Sequence, residues 1–248
     1  MVLSEENLNL CVYWYGKPMT GREYIEWLSR LLLALQRSAP CFARYAVVQP
    51  NGYRSVSADF SNLESCVADN QPRGWAFEID GSDSKRFTLE ARPKMSFSNA
   101  FVTSEDTDAS GCMLSATAGS RVNFSADSIV LTMSADLATP DLAERVFKTL
   151  IACSAPNFGV AVRGDVRRLV GQPVKEKPVG WLTYWDNAQC TSSLAVPIKA
   201  EALSDGLLIR TEAAPPGAED AEALNRLRKL IEALRSAGCL SKPAFNPR

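Results

Sequence analysis

The chain has 248 residues, 27 basic and 28 acidic side chains and 46% apolar residues. That supports a substantial core and excludes a whole-molecule field for nucleic acid or an anionic membrane. It contains no histidine, which removes Ser-His and Cys-His nucleophile pairs and HExxH zinc sites and lowers the expectation of an enzyme. Its seven cysteines form no CxxC pair, so they read as small buried hydrophobes of a reducing compartment.

The first residues, Met1 to Asn7, are acidic and lack the basic start and apolar centre of a signal peptide. The longest apolar run, Leu31 to Leu35, is far short of the roughly 18 residues of a spanning helix. The expected location is the cytoplasm. Leu8, Leu10, Val12 and Trp14 alternate with polar or smaller neighbours as in a strand, which Gly16-Lys17-Pro18 ends. Thr20-Gly21-Arg22-Glu23 is a capping box, so a helix starts there, with Ile25, Leu28, Leu32 and Leu35 on its buried stripe and Leu31 widening it. Ser38-Ala39-Pro40 stops it.

A strand is predicted over Phe42 to Val48, followed by a Pro50-Asn51-Gly52 turn, and a short helix over Asn62 to Ala68. Trp75 to Ile79 and Phe87 to Ala91 alternate on either side of a polar loop and read as a hairpin. Further strands are expected over Met95 to Thr103, Cys112 to Ala118 and Ser128 to Ser134. Thr139-Pro140-Asp141 begins a second long helix, with an N-cap hydroxyl, proline at the first position and a stripe of Leu142, Val146, Leu150 and Ile151. Phe158 to Val162 reads as a buried strand and Asp165 to Val170 as a short basic segment.

Gly180-Trp181-Leu182-Thr183-Tyr184-Trp185 concentrates aromatic area in one strand. Trp181, Thr183 and Trp185 share one face and Leu182 and Tyr184 the other. Ala195 to Leu203 and Leu207 to Thr211 flank a Ser204-Asp205-Gly206 turn. The last helix, Ala218 to Ala237, carries Ala221, Leu224, Leu227, Ile231 and Leu234 and ends at Gly238. The order of elements predicts an α+β fold: antiparallel or mixed sheet packed against about three main helices, in two halves of similar plan without a residue-level repeat. Residues 1–248 read as a single domain, and any subdivision falls near residue 135.

No motif carries chemistry. Glu105-Asp106-Thr107-Asp108 lacks the glycine and closing glutamate of a calcium loop, and short charge runs are usually solvated. Arg163, Arg167, Arg168, Lys175 and Lys177 are interrupted by acids and have no interleaved aromatics for stacking on a nucleic acid. Gly16-Lys17 and Ser110-Gly111 lack phosphate-loop spacing. No catalytic, cofactor-binding or metal-ligating residue is assigned.

In sequence, the chain resembles the immunity protein 52 family. The resemblance rests on Trp14-Tyr15-Gly16-Lys17-Pro18 and Phe42-Ala43-Arg44-Tyr45, then Ser154-Ala155-Pro156-Asn157-Phe158-Gly159-Val160. Gly180-Trp181-Leu182-Thr183-Tyr184 and Asp205-Gly206-Leu207-Leu208-Ile209 complete it. Tyr15 and Trp185 depart from the family's pattern. The resemblance implies a cytoplasmic antitoxin that binds a cognate secreted toxin. Family members pair with restriction-endonuclease-like nucleases, often delivered by type VI secretion. Trp14, Gly180, Trp181, Thr183 and Tyr184 are then structural signature residues. A nuclease's DNA-binding surface is positive, so acidic Asp80, Asp83, Glu105, Asp106 and Asp108 are the expected contacts, with Trp75 and Tyr53 as aromatic anchors. The partner is a protein, with no direct binding of nucleic acid or membrane. The rival classes are a histidine-free small-molecule enzyme and a secretion-system adaptor.

Overall fold

The computed structural model describes residues 5–71, 77–79, 82–103, 111–121, 126–173, 175–186 and 199–241. The chain divides into two compact units, one of Met1–Val2 and Tyr13–Leu131, the other of Leu3–Val12 and Thr132–Arg248. Strands β1 (Leu8–Trp14) and β9 (Asp127–Met133) each straddle the division. The fold is α+β with antiparallel ladders, as the order of elements predicted. No helix among the described residues is long and apolar enough to cross a membrane.

In the first unit the capping box forms as read. Thr20 N–H donates to Glu23 Oε2 (2.7 Å), Glu23 N–H donates to Thr20 Oγ1 (3.3 Å), and α1 runs over Gly21–Ser38. The bond from Thr20 N–H, with a second from the Thr20 hydroxyl to Oε2 (2.9 Å), holds the Glu23 carboxyl below its usual range. The buried stripe is rotated from the predicted one: Tyr24 and Trp27 are buried with Leu28, Leu31, Leu32 and Leu35, and Ile25 is only half-buried. The reason is aromatic. Tyr24 stacks on Phe97 with ring centres 4.8 Å apart, and Trp27 meets Trp14 edge-on at 5.7 Å.

A 3-10 turn over Pro40–Phe42 precedes β2 (Tyr45–Gln49), which pairs with β3 (Gly52–Val56), a strand the sequence did not show. The short helix α2 covers Leu63–Ala68. The expected hairpin of 75–79 with 87–91 is not formed. Instead β4 (Phe77–Ile79) pairs with β5 (Ser82–Ser84) and β6 (Arg92–Pro93). Segment 87–91 instead caps α1: Gly21 N–H donates to Ala91 O and Arg22 N–H to Leu89 O, both at 2.7 Å. Those carbonyls satisfy helix-start amides that have no partner inside the helix. The approach is close, since a Cβ on Gly21 would lie 2.4 Å from Thr88 O. Strands β7 (Phe97–Val102) and β8 (Cys112–Ala118) complete an order of β9-β8-β7-β2-β3.

The second unit has the strand order β12-β13-β11-β10-β1. Its strands are β10 (Phe158–Arg163), β11 (Leu182–Trp185), β12 (Lys199–Leu203) and β13 (Gly206–Arg210). Helix α3 spans Pro140–Ser154, but Thr139 makes no side-chain cap, so Pro140 at the first position marks the start. Its buried set is Ala143, Val146, Phe147, Leu150, Ile151 and Ser154, with Leu142 half-buried. The basic segment after β10 is helix α4, Gly164–Leu169. Its start is fixed from far off, by Asp165 N–H donating to Glu5 O at 3.0 Å.

Helix α5, Ala221–Ser236, begins where Asp220 Oδ1 accepts Ala223 N–H at 2.9 Å. Ala221, placed in the stripe by sequence, is exposed, and Ala223 and Leu230 are buried instead. The helix ends as read: Gly238 (φ 74) donates to Arg235 O and Cys239 to Leu234 O, the paired bonds of a Schellman stop.

Candidate functional site

The aromatic strand is entirely interior. Trp181, Leu182, Thr183, Tyr184 and Trp185 are each at most 2% exposed, so both faces are covered. β11 pairs antiparallel with β10 (Val160↔Thr183) and with β13 (Tyr184↔Leu208). Trp181 Nε1 donates to Glu212 O at 2.8 Å, and Gly180 N–H donates to Thr183 Oγ1 at 3.1 Å. Gly180 has to be glycine, because a Cβ there would stand 2.3 Å from Ala161 O. Trp14, the other signature residue, is 1% exposed in the first unit. These residues hold the fold and offer no surface.

The open part of the second unit is its edge. β12 ends the strand order, and four of its five residues, Lys199 to Ala202, are exposed. It is joined to β13 by Ser204-Asp205, with Ser204 in the left-handed region (φ 50) that two-residue hairpins use. Gly206 closes the turn against Trp185 O, 2.1 Å from where a Cβ would be. Lys199↔Arg210 and Glu201↔Leu208 are cross-strand partners, so these four side chains share one face of the hairpin. Between that face and α5 runs a groove of about 870 Å³, with Glu212, Arg226, Lys229 and Leu230 on its far side.

Charges on the groove are arranged in chains. Lys148 Nζ bridges Glu144 Oε1 (2.9 Å) and Glu201 Oε1 (2.6 Å), and Arg210 also holds Glu144. Arg226 pairs with Glu212 and Glu222, each at 2.5 Å. The Glu201 and Glu144 carboxylates hold the Lys148 ammonium above its usual range, and Glu212 does the same for Arg226. Both carboxylates that line the groove, Glu201 and Glu212, are therefore in ion pairs. Lys199 and Lys229 have no ion-pair partner among the described residues.

Two of the expected contact residues, Asp83 and Tyr53, lie among the described residues, on different strands. Asp83 lies on β5, exposed, with Lys94 Nζ 2.7 Å from its carboxylate. Tyr53 lies on β3 and is 42% exposed. Asp80, Trp75, Glu105, Asp106 and Asp108 lie outside the described residues. A smaller concavity of about 440 Å³ in the first unit is lined by Arg22, Glu78, Glu90, Arg92 and Arg121, with Arg22 paired to Glu90 and Arg121 to Glu78.

One buried acid was not singled out by sequence. Asp127 is fully buried, and burial pushes its carboxyl up to about 7 although Ser120 and Gly119 N–H donate to it at 3.1 Å. None of the six described cysteines is in a disulfide, and burial raises the Cys112 thiol to about 12. Among the described residues no three His, Cys, Asp or Glu side chains are arranged to hold a metal ion.

Sequence reading placed a strand at β12 but assigned it no role. The available signal was Lys199-Ala200-Glu201-Ala202, a strand with charge at every second position and only alanine between. Alanine gives one face little area to bury, and charge on the other is a mark of edge strands. The pairing of Glu201 with Lys148 and the nearness of Lys229 are tertiary facts without a local signature.

No family model matches the chain, and no curated protein matches it. A solved structure titled "Pseudomonas aeruginosa T6SS protein PA0821" is similar over 93% of this chain and 73% of that one, with a TM-score of 0.60 and 14% identity. At that identity the likeness is one of fold.

Proposed function

We propose that this protein is an immunity protein that neutralises a cognate secreted toxin, a restriction-endonuclease-like nuclease, by direct stoichiometric contact in the cytoplasm. The observation that carries this reading is the state of the β12 groove. Its two carboxylates are held in ion pairs, an arrangement suited to recognising a charged surface. A general acid or base needs a carboxyl poised to exchange its proton. The sequence resemblance to immunity protein 52 and a fold similar to that of a T6SS protein support the same reading.

Acidic Asp80, Asp83, Glu105, Asp106 and Asp108 speed the encounter with a positive nuclease surface, and Trp75 and Tyr53 add contact area. The test is co-expression with candidate nuclease toxins. Cells should survive, and the two proteins should co-purify at one to one. Continued killing, with no complex on the column, contradicts the reading. Reversing Glu105, Asp106 and Asp108 to lysine should weaken the complex. Unchanged affinity at low salt removes that patch.

A further inference from the structure

The two outer strands of the described sheets are finished differently. In the first unit the chain attends to β3 itself: Asn62 Nδ2 donates to Ser55 O (3.0 Å), and Arg54 reaches Ser65 Oγ (3.0 Å) and Asp69. In the second unit no described residue covers β12 in this way. The two-residue turn places Leu203↔Gly206, Glu201↔Leu208 and Lys199↔Arg210 in hydrogen-bonded pairs, and Ala200↔Ile209 and Ala202↔Leu207 in the alternate pairs. The N–H and C=O of Ala200 and Ala202 therefore point away from β13. Among the described residues they meet no partner.

We propose that β12 is a strand-addition site: an extended acidic segment of a protein partner pairs with the outward amides of Ala200 and Ala202. Every second side chain of that segment enters the groove beside Lys199 and Lys229. The inference rests on the reading of this chain as a protein-binding module and names the chemistry of what it binds. Main-chain pairing supplies affinity in such sites, and the alternate side chains supply selectivity.

Charge decides the occupant. Glu201 is engaged by Lys148 and Glu212 by Arg226, which leaves the ammonium groups of Lys199 and Lys229, among the described residues, as the uncompensated charges of the groove. A carboxylate entering between the hairpin and α5 answers both. Leu208 and Leu230 supply an apolar floor for the stem of that side chain. A second copy of this chain fits less well, because its own β12 brings a further Lys199 to a groove already in excess of positive charge.

The test uses the full chain and a phage-displayed library of random linear dodecapeptides, so it does not depend on the toxin. Selection should enrich peptides with Asp or Glu at every second position. Ala202→Pro, which removes one outward N–H while leaving the bonds to β13, should weaken the selected peptides at least tenfold. The double variant Lys199→Glu, Lys229→Glu should do the same and abolish the salt dependence. Circular dichroism and the urea midpoint identify a variant that fails to fold, and the charge variant then decides. Peptides without alternating acids, or equal binding by both variants, overturn the proposal. So does concentration-dependent dimerisation that Ala202→Pro abolishes, since the edge then serves a second copy. Failure of the toxin to co-purify while acidic peptides still bind overturns the immunity reading alone.

Discussion

Strands β11 and β12 belong to the same unit and lie on either side of β13, yet their sequences solve opposite problems. β11 reads Leu-Thr-Tyr-Trp with no residue more than 2% exposed, and its polar Thr183 accepts from Gly180 N–H inside the fold. β12 reads Lys-Ala-Glu-Ala-Leu with four exposed residues and outward amides that meet no partner among the described residues. Aromatic concentration in the first marks scaffold, and modest composition in the second marks a surface. The part of this chain most recognisable as sequence is thus the part least able to touch a partner.

That contrast is broken most forcefully at Trp181. Trp181→Ala should cost about 3–5 kcal/mol in urea unfolding, with unchanged toxin affinity for whatever fraction remains folded. A stable variant that loses binding would reverse the roles of the two strands. Gly180→Ala should cost about 3 kcal/mol by over-packing against Ala161 O, measured the same way. Trp185→Phe should cost less than Trp181→Phe, because Trp185 Nε1 has no acceptor among the described residues whereas Trp181 Nε1 has Glu212 O.

Burial also sets an expectation for pH. Asp127 carries its proton up to about 7 when folded, against 3.8 as the ordinary value. The folded state therefore binds more protons than the unfolded state between those values. The contribution of Asp127 to stability is full below about pH 4 and declines as pH rises toward 7, by at most about 1.4 kcal/mol per pH unit. A chain without histidine leaves that window to Asp127. The carboxyls of Glu5, Glu23, Asp59, Asp165 and Glu176, all held low, act with the opposite sign and only at lower pH. Urea midpoints from pH 5 to 8 should fall for the wild type and stay level for Asp127→Asn. The smallest effect belongs to the surface: Lys199→Glu should shift stability by no more than about 0.5 kcal/mol while weakening the acidic peptide.

Sequence showed most where the cause is local. The capping box at Thr20 and Glu23, the glycine stop at Gly238 and the period-two strands β1 and β8 each depend on residues within a few positions. It failed where the cause is distant. Helix α4 starts on Glu5 O, segment 87–91 folds onto the start of α1, and the stripe of α1 is turned to suit Phe97. The candidate groove follows the same rule: Lys199 was legible as a polar edge position, but Lys229 joins it only through the packing of α5.

Amide hydrogen exchange of the full chain, alone and saturated with the toxin we propose as its partner, tests the central contrast most directly. Binding should slow exchange at Ala200 and Ala202 and leave the already protected amides of Leu182 to Trp185 unchanged. Protection confined to other surfaces, such as the Tyr53 edge, with β12 exchanging as freely as before, would contradict the assignment of β12 as the contact.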